Sequence, residues 1–167
     1  MLKFGSILEL LKEVGADVGG THMNYEGYQI FLSLIADWLD ELDGKDIDMS
    51  RFGCFSSDTS DDHSHASQES IFFRVVVDGI PKNIFIGLEE LDFQDAHNLW
   101  EQIKKRLAQS GLSVATLKKK LVAVCFDGAS VNMGVLNGVQ SLVKQGIGKW
   151  VLVIHCVNHS FELLYSI

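Results

Sequence analysis

Residues 120–127 read KLVAVCFD and residues 51–58 read RFGCFSSD. Each is a strand-like run that closes on an aspartate, Asp127 in the first and Asp58 in the second. After its lysine, KLVAVCFD is continuously apolar, as expected of a strand buried on both faces. The order of elements around these two runs decides how they can lie against each other.

After RFGCFSSD comes a polar stretch, TSDDHSHASQE at 59–69, which reads as a loop too polar to enter a core. Residues 70–79, SIFFRVVVDG, are rich in β-branched and aromatic residues and predict a second strand. The tetrapeptide DGIP at 78–81 predicts a hairpin turn into a third strand, KNIFIGLEEL at 82–91. The only proline, Pro81, falls in that turn, where it breaks no ladder. Residues 92–111 predict an amphipathic helix with Ala96, Leu99, Trp100, Ile103 and Leu107 on one face, ended by Gly111. KLVAVCFD is then the fourth strand. A glycine-punctuated loop and helix at 128–146 lead to a fifth strand, KWVLVIHC at 149–156, and the last eleven residues begin another helix.

Upstream, residues 5–14 and 24–42 carry apolar side chains at helical spacing, joined by the glycine-rich GADVGGTH. The segment DGKDIDMS at 43–50 reads as a polar turn closing the second helix. The expected organisation is a helical extension over 1–48 and a sheet-containing core over 49–167. Three hairpin-linked strands should be antiparallel. A long helical connection lets the fourth lie beside the first, and β-α-β alternation makes the fourth and fifth parallel to it. That plan is a mixed five-stranded α/β sheet of the RNase H-like kind, flanked by helices.

Composition narrows the function classes. The net charge of −8 argues against a free-standing, non-specific nucleic-acid binder, which needs a basic face for phosphates. Cys54, Cys125 and Cys156 form no disulfide framework, and two of them sit in strand-like runs, as in a protein of a reducing compartment. The first fifteen residues interleave charge with apolar positions and lack a signal peptide's pattern. The expected compartment is the nucleus or the cytosol, with no membrane association.

If strands one and four are parallel neighbours, Asp58 and Asp127 emerge at the same end of the sheet, where open α/β sheets bind ligands. Two carboxylates meeting there repel unless a cation lies between them. Mg²⁺ is commonly held by one or two carboxylates plus phosphate oxygens, so the spacing points to a phosphoryl-transfer metal site. The plainer alternative is that Asp58 and Asp127 make turns, since D-T-S and D-G are common turn sequences. Asp61, Asp62, His63 and His65 lie in a polar loop and read as solvated rather than as a metal cluster. His155, Cys156 and His159 lack a fourth ligand, so no zinc site is expected. The acidic helix 36–47 is most simply a solvated face, and a third class of function is an acidic scaffold that binds protein partners through the N-terminal helices.

FDGASVNMGVLNGVQSLVKQ at 126–145, followed by WVLVIHCVNHSFELL at 150–164, resembles the hAT family of DNA transposases: a strand, DGAS, M-x-G, NGV, then a strand ending H-C-x-x-H and Glu-Leu. FSSDTSDDHSHASQESIFFRVVVDG at 55–79 resembles the family's upstream block, and FIGLEELDFQDAHNLWEQI at 85–103 its G-x-x-E-L segment. The likeness covers roughly residues 50–165 and is strongest toward vertebrate-type, hAT-derived domesticated proteins, some of them zinc-finger or SUMO-ligase-like. It implies an RNase H-like core whose first two catalytic acids are Asp58 and Asp127, with Mg²⁺ or Mn²⁺ as cofactor and DNA as the ancestral partner. It also matches Asp62 to a second family aspartate, and Cys156 and His159 to a Cys-x-x-His step near the DNA. The turn after Asp58 departs from the family's D-G-S-T-D or D-x-W-T. The family's third acid, a Glu, lies far downstream on a final helix. The expectation is therefore a transposase-derived domain that does not transpose by itself. Two alternatives stand beside it: a fragment of an active polynucleotidyl transferase whose third acid lies beyond residue 167, and the acidic scaffold.

Overall fold

The computed structural model describes residues 4–19, 25–61, 67–90 and 95–156. The chain divides into two compact units, Met1–Asp43 and Gly44–Ile167, with the boundary inside a helix. The first unit holds α1 (Phe4–Glu13) and the start of α2 (Tyr25–Met49). The second holds the end of α2, then β1 (Gly53–Asp61), β2 (Ser67–Val77), β3 (Ile80–Glu90), α3 (Ala96–Gln109), α4 (Val114–Lys120), β4 (Leu121–Phe126), α5 (Ser130–Met133), α6 (Val139–Ile147) and β5 (Leu152–His155).

The five strands form one sheet in the order β3-β2-β1-β4-β5. β1 and β2 are antiparallel, as are β2 and β3, while β4 runs parallel to β1 and β5 parallel to β4. This is the RNase H-like α/β arrangement that the order of elements predicts.

Alternation along β1 and β2 sends Phe55, Ile71, Phe73 and Val75 into the core and leaves Phe72 and Val76 exposed on the opposite face. The helices lie on the Phe55 side. Trp100 of α3 stands 6.5 Å from Phe55 between ring centroids, and Val139, Val143 and Ile147 of α6 join the same cluster. Burying each large side chain here contributes about 1.5–3 kcal/mol, which is what holds α3 and α6 on the sheet. Asp95 caps α3 by accepting from the backbone N–H groups of His97 and Asn98 at 3.0 Å each.

The β2–β3 turn is only two residues long. Asp78 and Gly79 have φ of 52° and 79°, the paired positive values of a type I′ hairpin. Pro81 is therefore not in the turn. It sits on β3 opposite Val76, where the edge position of β3 makes its missing N–H tolerable.

Residues 43–49 are helical rather than a turn, because tertiary contacts override a glycine and four polar residues. Ile47 is buried in the core. Lys120 Nζ donates to the carbonyls of Ile47, Asp48 and Ser50 at 2.8, 3.0 and 2.7 Å, satisfying groups that the helix end leaves unpaired. Asp46 adds an ion pair with Lys82 at 2.6 Å. The stretch before strand four, unassigned from sequence, forms α4, capped by Ser113 and anchored by buried Leu117.

Gly53 answers to a close approach. A Cβ at this position would collide with the ring of Phe73, a fully buried side chain that has no room to move.

Among the described residues, no helix is long and apolar enough to cross a membrane.

Candidate functional site

The parallel register between β1 and β4 pairs Cys54 with Ala123, Phe55 with Val124 and Ser56 with Cys125. Two residues further along each chain stand Asp58 and Asp127. Register thus brings them level on neighbouring strands, at the end where β4 stops and its chain turns away. Fully buried Phe55 and Phe126 lie just before them and pack edge to face, with centroids 5.4 Å apart and planes at 85°.

Asp58 does not end its strand. β1 runs on to Asp61 because its antiparallel pairing with β2 continues past the point where pairing with β4 stops. Asp58 is opposite Ser70, whose hydroxyl donates to the Asp58 carbonyl at 3.1 Å. The Asp58 side chain is exposed.

Asp127 follows β4 directly and is half-buried. Its Oδ1 accepts from the Ala129 N–H at 3.2 Å and from Asn132 Nδ2 at 2.7 Å. Ala129 and Asn132 belong to the glycine-punctuated segment after β4, which turns back here and orients the carboxylate.

The residue that sequence reasoning missed is Glu69. Its segment reads as a solvated loop, yet β2 begins at Ser67 and Glu69 pairs with Thr59. Cross-strand partners share a face, so Glu69 lies on the helix-covered side with Ser57 and Thr59 while Asp58 leaves from the other. Glu69 is 0% exposed. Thr59 Oγ1 donates to its Oε2, but Oε1 has no hydrogen-bond partner. Burial raises the Glu69 pKa, and the nearby Ser57 and Thr59 hydroxyls oppose that rise. The carboxylates of Asp127 and then Asp58 add to it. Ser57 stands close enough to lower the pKa, although its Oγ makes no hydrogen bond of ordinary geometry. Asn132 Oδ1 is likewise buried and unpartnered. The usable signal in the sequence was the single acid that β-alternation would turn inward from Ile71 and Phe73, had β2 been extended by three residues.

The open face of the sheet carries the cysteines. Cys54 is pushed up to about 11 by burial, with Cys125 adding to the rise. Burial also raises Cys125, followed by the effects of Cys156 and Asp58. Cys156 donates its backbone N–H to the Phe126 carbonyl at 2.8 Å, extending the β4–β5 ladder to the end of the sheet where Asp127 stands. None of the three is in a disulfide.

Asp62, His63, His65 and His159 lie outside the described residues, as does the helix expected after the fifth strand. Among the described residues, no three His, Cys, Asp or Glu side chains are grouped so as to hold one metal ion.

No family model matches the chain, and no curated protein does. Among solved structures it is similar to one described as the Drosophila P element transposase strand transfer complex, at 11% identity and a TM-score of 0.39. The match covers 99% of this chain and 44% of that one, so this chain spans less than half the length of the transposase chain it matches. The fold assignment itself rests on the strand order and pairing within this chain.

Proposed function

We propose that this chain is a transposase-derived domain of the hAT type, built on an RNase H-like sheet, in which Asp58 and Asp127 hold a divalent cation. The observation that carries the reading is their level placement on neighbouring parallel strands, where β4 ends. The donor set suits Mg²⁺ or Mn²⁺, because carboxylate, hydroxyl and amide oxygens are hard ligands. When bound, such an ion would polarise a phosphodiester oxygen and steady the charge that develops on it. Asn132 and the Ala129 N–H hold Asp127 in place for that role.

DNA as partner and the nucleus as compartment belong to the same reading, and both derive from the DGAS and H-C-x-x-H resemblance. On this reading the resemblance implies a third acid, a Glu on a later helix, beside Asp58 and Asp127.

Calorimetry tests the site. Mn²⁺ is expected to bind weakly to the wild-type chain, and Asp58→Ala combined with Asp127→Ala is expected to remove the binding heat. Absence of binding, or binding indifferent to both substitutions, would overturn the reading.

One observation favours a second activity beside it. In α2, Ile30, Leu34, Ile35, Trp38 and Leu39 are all exposed, an unusual density of apolar surface on one helix. A protein-binding role for the N-terminal helices accounts for this. Leu34→Glu with Trp38→Glu is expected to abolish co-purification of a bound partner, and unchanged co-purification would rule the role out.

A further inference from the structure

We infer that the apolar face of α2 pairs with the same face of a second copy of this chain, so that α1 and α2 of two copies form one four-helix bundle. The inference rests on the protein-binding reading of the N-terminal helices given above and names their partner.

Ile35, Trp38 and Leu42 follow one another at spacings of three and four, the seam of a helix that packs on another helix, and Leu34 and Leu39 widen that seam. In the order named, the five are 52%, 59%, 38%, 59% and 46% exposed. Among the described residues of Met1–Asp43, no large apolar side chain is buried. A unit of about 40 residues gains too little from burial to hold itself together, and units of that size rely on disulfides, metals or oligomerisation. Met1–Asp43 contains no cysteine, and no metal-holding group occurs among the described residues, which points to oligomerisation. A stripe wider than a two-stranded seam needs more than one neighbouring helix, and two copies of α1 and α2 supply four.

Charge and area select a second copy as the occupant. Residues 27–36 carry no charged side chain, and helical periodicity turns Asp37 and Asp40 to the side away from the seam. A basic protein would look for acids on the contact face and finds them on the opposite one. A nucleic acid would look for basic residues, and Lys45 is the only one in α2. The face therefore matches a surface as uncharged as itself, which another copy presents in the self-complementary manner of a two-fold interface. The exposed apolar side chains of α1 and α2 together offer on the order of 1,000 Å². That exceeds the largest apolar patch of a typical monomer, about 300–600 Å², and reaches the scale of about 800 Å² that each partner gives to a standard interface. The acids stay in water on the outside of the bundle, where their charge costs least.

The test is sedimentation velocity of the purified whole chain over a range of micromolar concentrations. The wild type is expected to sediment with the mass of two chains. Leu34→Glu with Trp38→Glu is expected to weaken self-association by roughly 100-fold or more, because each copy would bury two unpaired charges, and to sediment as one chain. Both residues are exposed, so the urea midpoint of the sheet signal in this variant should match that of a wild-type sample diluted to the monomer. Gln29→Glu with Ser33→Glu adds the same two charges on the opposite side of α2 and should leave the dimer intact. A dimer that survives Leu34→Glu with Trp38→Glu, or one that the Gln29 and Ser33 changes dissociate as readily, would overturn the inference. So would a wild type that stays monomeric throughout. In that last case, a different protein that co-purifies with the wild type and is lost in the Leu34 and Trp38 variant would leave the protein-binding reading standing, and the loss of nothing would overturn both.

Discussion

Glu69→Gln is expected to stabilise the metal-free protein at neutral pH by about 1–3 kcal/mol, the usual cost of a buried polar group left unsatisfied. The wild-type carboxylate is fully buried, and burial first, then the charges of Asp127 and Asp58, disfavour its ionised form. The neutral amide keeps the shape, still accepts from Thr59 and can donate toward Ser57. The pH dependence follows from the direction of the shift. Burial raises the Glu69 pKa above its unfolded value, so the native state holds the proton more tightly than the unfolded chain does. Its contribution is fully present below the ordinary carboxylate range and is lost as pH rises through the raised value. Urea unfolding in chelator, at mildly acidic and mildly alkaline pH, should show wild-type stability falling across that interval and the Gln variant falling less. A Gln variant less stable than wild type at neutral pH would mean that the carboxylate has a stabilising partner.

Phe126→Ala is expected to be the most damaging single truncation near the site, costing about 3–5 kcal/mol. Phe126 is fully buried, packs edge to face on Phe55 and immediately precedes Asp127. An aromatic pair of this kind adds about 0.5–1.5 kcal/mol beyond its area. Against a typical total of about 5–15 kcal/mol, the loss brings a domain of this size close to unfolding. Phe72 is the control. It also packs against an aromatic ring, Phe85, but on the exposed face of the sheet. Phe72→Ala should therefore cost much less. Equal shifts of the urea midpoint for the two variants would contradict the assignment of α3 and α6 to the Phe55 side.

Much of the fold was legible because its signals are local. Continuous apolarity in 121–126, β-branched and aromatic enrichment in 70–77 and the Asp-Gly pair at 78–79 each identify an element by itself, and the sequence of elements leaves one economical pairing. What escaped depended on contacts between distant residues. The end of α2 stays helical because Lys120, more than seventy residues later, donates to its last carbonyls. β1 and β2 extend into a serine- and acid-rich stretch because each supplies the other's hydrogen bonds, which composition does not record. The same blindness hid Glu69, since a glutamate among serines and aspartates reads as solvated until pairing with Thr59 turns it inward. Asp58 and Asp127 were visible because each closes a strand-like run. Asp127's partner Asn132 was not, because its position depends on how the segment after β4 turns back.

The convergence of Asp58 and Asp127 on one divalent cation is tested most directly by paramagnetic broadening of amide resonances at substoichiometric Mn²⁺. Broadening falls steeply with distance, so it locates the ion without any assumption about activity. Selective loss of the signals of Ser57–Thr59 and Asp127–Ala129, reversed by chelator and absent in Asp127→Asn, is the predicted result. Broadening confined to the acidic α2 residues Asp37–Asp48, with the ends of β1 and β4 untouched, would contradict it.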